Sequence, residues 1–196
     1  MKRKFLWAAA AVIFVLLLTG TYLTVSGKVA LWFREDNLPP FDRSIKTEYG
    51  TPIEVRRVID GDTVELINGD RLRYIGMDTP EEVDPKKPVQ CFAAEAAARN
   101  RDLVEGKMVT LYKDVSQYDE HGRWLAFVYL EDGTFVNLEL VKEGFAFNYP
   151  YPPDISRADE FGTAEAEAQK NGLGLWGECK TYHTSTGRSQ TNTLGR

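Results

Sequence analysis

The sequence predicts an α+β domain of five short strands with helices inserted late, carried behind an apolar N-terminal segment. Three observations predict it. The stretch VRRVIDGDTVELINGDRLRYIGM alternates apolar and polar residues and is broken by the tight-turn pairs Asp60-Gly61 and Asn68-Gly69. VNLELVKEG and the segment from Ser156 to Asn171 carry helical spacing and end at glycine. Ahead of them, Phe5 to Val25 is a run without a single charge.

That run follows Lys2, Arg3 and Lys4, and as a helix rising about 1.5 Å per residue it spans about 30 Å, the thickness of a hydrocarbon core. Residues 1–27 are therefore expected to form a transmembrane anchor, with the basic residues cytoplasmic, Trp32 and Phe33 at the outer interface and the rest of the chain outside. A cleaved signal peptide ending near Val25-Ser26-Gly27 is the competing reading, and it exports the same residues. Residues 28–49 contain LPPF and mixed charges without a period, the composition of a linker.

The folded part is expected over residues 50–179. Val55 to Met77 reads as three strands of an antiparallel meander. The Ala-rich segment from Cys91 to Val104 reads as a helix, with Gly106 where a C-cap residue takes positive φ. MVTLYKD and RWLAFVYL are two further strands around the polar loop VSQYDEHG, and the two helical segments named above follow. Five strands with late helices fit a small OB-type barrel, although pattern alone also admits other α+β packings. Residues 180–196 are polar, rich in Ser, Thr and Gly, and are expected to be disordered. Cys91 and Cys179 are the two cysteines of the chain, and an exported domain lets them pair; two separate buried thiols are the alternative.

Antiparallel neighbours bring Asp62, just past the Asp60-Gly61 turn, towards Asp78 at the end of the third strand. Two carboxylates at close range repel, and a hard divalent cation such as Ca²⁺ relieves that repulsion by taking carboxylate, carbonyl and water oxygens. Thr79, extended before Pro80, has a main-chain carbonyl that such an ion can use. DGDT by itself is also what any hairpin turn contains. Arg73 is expected to share a strand face with Ile75 and Met77 and so to need an anion, either Asp78 or Glu81 in an ion pair or a phosphate matched to its guanidinium fork. Arg123, opening RWLAFVYL, is a second such arginine.

With these residues in place the sequence resembles the staphylococcal-type thermonuclease family. The motifs VIDGDTVEL, RLRYIGMDTPE, YDEHGRWLAFVYLEDGTFVNLELVKEGFA and AEAEAQKNGLGLWG occur in the family's order and spacing over about residues 50 to 179. The resemblance implies a five-stranded OB-fold barrel with about three packed helices and Ca²⁺-dependent cleavage of DNA and RNA. It implies Asp62, Asp78 and the Thr79 carbonyl as ligands of the Ca²⁺, Glu81 as the carboxylate that activates or orients water, and Arg73 and Arg123 as holders of the scissile phosphate. His121 stands where the family often has Tyr, and Tyr149 or Tyr151 is the aromatic available to lie against a nucleotide; an idle loop histidine and packing tyrosines are the plainer readings.

Charge argues against a tight nucleic-acid binder. Residues 50 to 179 carry 14 Lys and Arg against 25 Asp and Glu, a net −11, where such binders show a basic footprint. An enzyme needs only a local positive site. A catalytically weak or inactive barrel that binds nucleic acid or protein is the alternative class, and Asp62, Arg73, Asp78, Glu81 and Arg123 occurring together speak against it. The anchor reading makes one prediction: protein recovered from its membrane retains residues 1–27, and intact-mass measurement showing their loss excludes the anchor.

Overall fold

The structure is a computed structural model, and it describes residues 38–81 and 88–194. The expected transmembrane segment lies outside the described residues; among those described, no helix is long and apolar enough to cross a membrane. Pro40–Arg196 form one compact unit.

A closed barrel is built from β1 (Pro52–Asp60), β2 (Thr63–Leu66), β3 (Arg71–Tyr74), β6 (Trp124–Leu130) and β5 (Met108–Tyr112), in that order round the wall. The β1-β2-β3 meander is antiparallel, β3 runs parallel to β6, and β5 pairs antiparallel with β6 and β1 to close the ring. This is the five-stranded OB arrangement. Register shifts between Val55 and Arg57 and between Val58 and Asp60 bend β1 enough to contact both neighbours. Val55, Val64, Leu66, Leu72, Leu111 and Val128 are completely buried, so the barrel is filled with side chains.

The fold continues outside the barrel in α1 (Ala93–Val104), α2 (Val136–Lys142), α3 (Ala158–Lys170) and the single turn α4 (Leu175–Glu178). Ala93, Ala96, Ala97, Asn100, Leu103 and Val104 form the buried stripe of α1, and small alanines let this helix lie close to β1. Its end is tied there: the Gly106 N–H donates to the Val55 carbonyl and the Val58 N–H donates to Glu105 Oε2. Phe161, Ala164 and Ala168 are the buried face of α3.

The strand carrying Arg73 departs from simple alternation. Leu72 and Tyr74 point into the core, then the chain breaks at Gly76, whose φ of 79° suits glycine, before the short β4 (Gly76–Asp78) pairs with β7 (Phe147–Tyr149). A Cβ on Gly76 would stand 2.7 Å from the Phe161 ring, so the break also lets α3 cover the strand. Gly76 interrupts the strand between Ile75 and Met77, so the alternation that links Arg73 to Ile75 does not run on unbroken to Met77.

Two boundaries differ from the sequence expectation. Residues 40–49, expected within the linker, lie on the barrel: the Asp42 N–H donates to the Ile67 carbonyl, and the Tyr49 hydroxyl donates to the Leu125 carbonyl. Residues 180–194 are not a disordered tail, since β8 (Thr181–His183) and β9 (Ser189–Thr191) form an antiparallel hairpin. Its return strand is fastened to residues near Cys91: the Cys91 N–H donates to the Asn192 carbonyl, Thr191 Oγ1 donates to the Cys91 carbonyl, and Leu194 N–H donates to the Val89 carbonyl. Cys91 and Cys179 are joined in a disulfide. Polar composition suggested disorder, but these partners are distant in sequence and composition does not register them.

Buried Asn137 fixes the break to the barrel wall, with Oδ1 accepting from the Val128 N–H at 2.8 Å and Nδ2 donating to the carbonyls of Ile75 and Ala126 at 3.0 and 3.2 Å. Asn137→Ala leaves those groups without this partner in a dry site, and a loss of about 3 kcal/mol is expected in urea unfolding; a loss below about 1 kcal/mol would show the bonds to be dispensable.

Candidate active site

Gly61 is where the site begins. A Cβ there would lie 2.6 to 2.8 Å from three atoms of the Thr79 side chain, so only a bare backbone lets the β1-β2 turn touch the residue that follows β4. That contact carries Asp62 to Thr79, whose N–H donates to Asp62 Oδ2 at 3.1 Å. Thr63 Oγ1 donates to the other oxygen, Oδ1, at 3.0 Å.

The pairing of β2 with β3 places Thr63 opposite Arg73. The Arg73 guanidinium reaches between two carboxylates, with Nη1 donating to Asp62 Oδ1 and Nη2 donating to Asp78 Oδ1 at 2.5 Å. Asp62 and Asp78 are only 1% and 2% exposed. Buried carboxylates this close are tolerable only with positive charge between them. Burial works against the charge on Arg73, but Asp62, Asp78 and Asp60 outweigh it and hold the guanidinium above its ordinary range. Asp60 moves the opposite way: burial first, then the Asp62 charge, push its carboxyl up to about 8.

An open cleft of about 710 Å³ lies beside this cluster, lined by Arg73, Glu81, His121, Arg123, Tyr149 and Tyr151 among others. Register explains the second arginine. Arg73 sits opposite Leu125 on the parallel strand β6, and Arg123 lies two residues earlier on the same side. The Arg123 Nε donates to Asp119 Oδ2 at 2.7 Å, while Asp119 Oδ1 accepts the N–H groups of His121 and Arg123. Burial raises the Asp119 carboxyl, but these bonds and the Arg123 charge bring it below the usual range. Glu81 is oriented through its backbone: its N–H donates to Gln90 Oε1 at 2.8 Å and its carbonyl accepts from the Gln90 N–H at 3.0 Å.

Every residue singled out for chemistry in the sequence thus faces one region. Asp62, Arg73, Asp78 and Thr79 are joined by hydrogen bonds, and Glu81, Arg123, His121 and both tyrosines line the adjoining cleft. Tyr149 and Tyr151 stack with ring centres 6.0 Å apart, so both belong to the same wall. His121 has an exposed side chain at the rim, 3.6 Å from Glu120.

The profile described as staphylococcal nuclease homologue matches residues 71–178. A thermonuclease of Staphylococcus intermedius is 38% identical over 163 residues, covering 81% of this chain and 96% of that protein. The endonuclease YncB of Bacillus subtilis (strain 168) is 39% identical over 140 residues, covering 69% of this chain and 65% of its own, and a thermonuclease of Staphylococcus hyicus is 33% identical over 164 residues, covering 81% and 96%.

The chain belongs to the staphylococcal nuclease family. The match to the family profile ends at Glu178, so the C-terminal hairpin lies beyond it. That hairpin delivers a residue that sequence reasoning missed. Arg188 Nε and Nη2 donate to Asp78 Oδ2 and Oδ1, both at 2.6 Å, and the guanidinium lies 5.6 Å from the centre of the Tyr149 ring. Burial opposes its charge, but the bond to Asp78 holds it above the ordinary range. Asp119 and Gln90 were missed as well. Asp119 has a local signal, an Asp four residues before Arg123 in a turn-rich loop, whereas Gln90 and Arg188 act through contacts that no local pattern encodes.

Among the described residues, no group of three or more His, Cys, Asp and Glu side chains is arranged to hold a metal ion. The candidate set is smaller: two buried carboxylates and a main-chain carbonyl, oxygen throughout, with guanidinium charge already standing where positive charge is required. That chemistry fits a hard cation completed by water. Because Gly61 and Thr79 touch, Gly61→Ala is expected to lower stability by about 1–3 kcal/mol through overpacking, read as a fall in Tm; an unchanged Tm would mean that the turn can move away without cost.

Proposed function

We propose that this chain is a Ca²⁺-dependent nuclease that hydrolyses phosphodiester bonds of DNA and RNA. The observation that carries the reading is the convergence of Asp62, Arg73, Asp78 and Thr79 beside a cleft that also holds Glu81 and Arg123. Relatives named thermonuclease and endonuclease support the same reaction class.

Asp62, Asp78 and the Thr79 carbonyl would hold the Ca²⁺. When bound, the ion polarises a phosphoryl oxygen of the substrate. The chain's own residues do the rest. Glu81, its backbone pinned by Gln90, orients the attacking water and takes a proton from it at the carboxylate. Water oxygen then bonds to phosphorus as the ester P–O bond breaks, and the departing sugar oxygen keeps the bonding electrons and takes a proton from solvent water. Arg73 and Arg123 hold the non-bridging oxygens and stabilise the charge that builds there; the Arg123 group is aimed by its Nε–H bond to Asp119. The planar tyrosines of the cleft wall give bases a surface to stack on.

The same proposal sets the domain outside the cytoplasm, anchored by residues 1–27 or released by their cleavage. The Cys91–Cys179 disulfide supports it, since such bonds persist in oxidising compartments.

The decisive experiment incubates the purified protein with single-stranded DNA and with RNA, with and without added Ca²⁺. Cleavage with the ion and none after chelation is expected. Intact substrate at every Ca²⁺ concentration and pH would leave a binding module instead. Glu81→Gln is expected to lower kcat by about 10²-fold or more. Arg73→Lys keeps the charge but loses the fork, and a loss of about 10²-fold is expected for it too; full activity in either variant removes that residue from its assigned role.

A further inference from the structure

The C-terminal hairpin places Arg188 against the carboxylate that the cation needs. Asp78 Oδ1 accepts from Arg73 and Arg188 together, and Oδ2 accepts from Arg188 Nε. A carboxylate oxygen has two lone pairs, so Oδ1 is filled and Oδ2 has one position left. A cation can therefore take only the open position on Oδ2, beside Arg188 Nε, or displace the two-pronged grip of Arg188, so the two charges compete for the same carboxylate.

Charge sharpens this. Asp62, Asp78, Arg73 and Arg188 sum to zero, so the cluster as it stands has nothing to attract a phosphate. A divalent cation adds two positive charges, weakens the hold of Asp78 on both guanidinium groups, and leaves them free to turn to an anion. Residues 180–196 contain Lys180, Arg188 and Arg196 and no acidic residue, in contrast to the acidic domain on which the hairpin lies. Arg188 lines the same cleft as Arg73 and Arg123 and lies over the face of Tyr149, so its head group stays at the cleft wall when Asp78 lets go. Its backbone is fixed independently of that ion pair: the Arg188 N–H donates to Thr184 Oγ1, and β9 is fastened to Cys91.

We propose that Arg188 is a third substrate-phosphate arginine, held in reserve on Asp78 and exchanged onto a nucleic-acid phosphate when the divalent cation takes Asp78. The inference rests on the cation reading given under Proposed function. Arg73 faces the scissile phosphate in that reading, and Arg188, bonded to the same oxygen of Asp78 and lining the same cleft, is within reach of the same nucleic-acid backbone. Arg188 is a positioning residue for the substrate chain and takes no part in bond making.

Two measurements on the full-length protein and its Arg188→Ala and Arg188→Lys variants test the exchange. In calorimetric titration with CaCl₂ and no nucleic acid, Arg188→Ala is expected to bind Ca²⁺ several-fold tighter than wild type because the internal competitor is gone. In steady-state cleavage of a single-stranded DNA oligonucleotide at saturating Ca²⁺, the same variant is expected to raise KM about tenfold, the worth of one charge-assisted contact, with the larger part of the loss in KM rather than kcat. Arg188→Lys is expected to recover most of the KM. A hairpin that is only a structural strut gives a different result: Ca²⁺ affinity in Arg188→Ala equal to or weaker than wild type, which overturns the exchange. Equal KM in wild type and Arg188→Ala overturns the phosphate role. No Ca²⁺ binding by either protein overturns the cation reading itself, and the exchange with it.

Discussion

The arrangement depends on one constraint: two carboxylates, Asp62 and Asp78, are buried within reach of a single guanidinium. Moving an ionised carboxylate out of water costs several kcal/mol even after relaxation, and a second one nearby adds repulsion. Hydrophobic burial alone does not hold such a pair together. The fold tolerates it because the barrel turn at Asp62 and the separate β4-β7 pair set their distance and positive charge lies between them.

Several features of the chain that look incidental are consequences of that constraint. The turn at Gly61 has to touch Thr79, so it has no side chain to spare. The strand that carries Arg73 has to stop and restart at Gly76, because Leu72 and Tyr74 serve the core while Asp78 must reach the cluster from a different pairing, with β7. Asn137 then replaces the ladder bonds lost at the break by joining the Ile75 carbonyl to β6. A regular strand through residues 71–78 would keep every hydrogen bond and lose the site.

This explains which parts were legible in the sequence. The five barrel strands and the main helices follow from alternation, turn pairs and terminal glycines, all local signals, and DGDT together with RLRYIGMDTPE marked the central cluster. Closure of the barrel through the parallel β3-β6 pair was not local: strand count was compatible with a barrel, and the resemblance to the nuclease family singled it out. The unbroken strand expected through Arg73, Ile75 and Met77 is interrupted because Gly76 breaks the period, although all three residues line one cleft. The polar tail was misread for the complementary reason: its order comes from Cys91, Val89 and Asp78, about a hundred residues earlier, as the Arg188–Asp78 separation of 110 illustrates.

That distance in sequence gives the hairpin its physical importance. The disulfide joins Cys91 to Cys179 across 88 residues, and restricting so long a loop removes a large share of the unfolded chain's freedom. Cys91 also receives β9, and the adjacent Gln90 receives the backbone of Glu81. Glu81 and Arg188 are far apart in the chain, yet both are positioned from the same short segment, residues 89–91. A displacement of that segment shifts the water-orienting carboxylate and the guanidinium on Asp78 together. The site is therefore more than a pocket at the barrel mouth: two of its components, Glu81 and Arg188, share one cross-linked support outside the barrel strands.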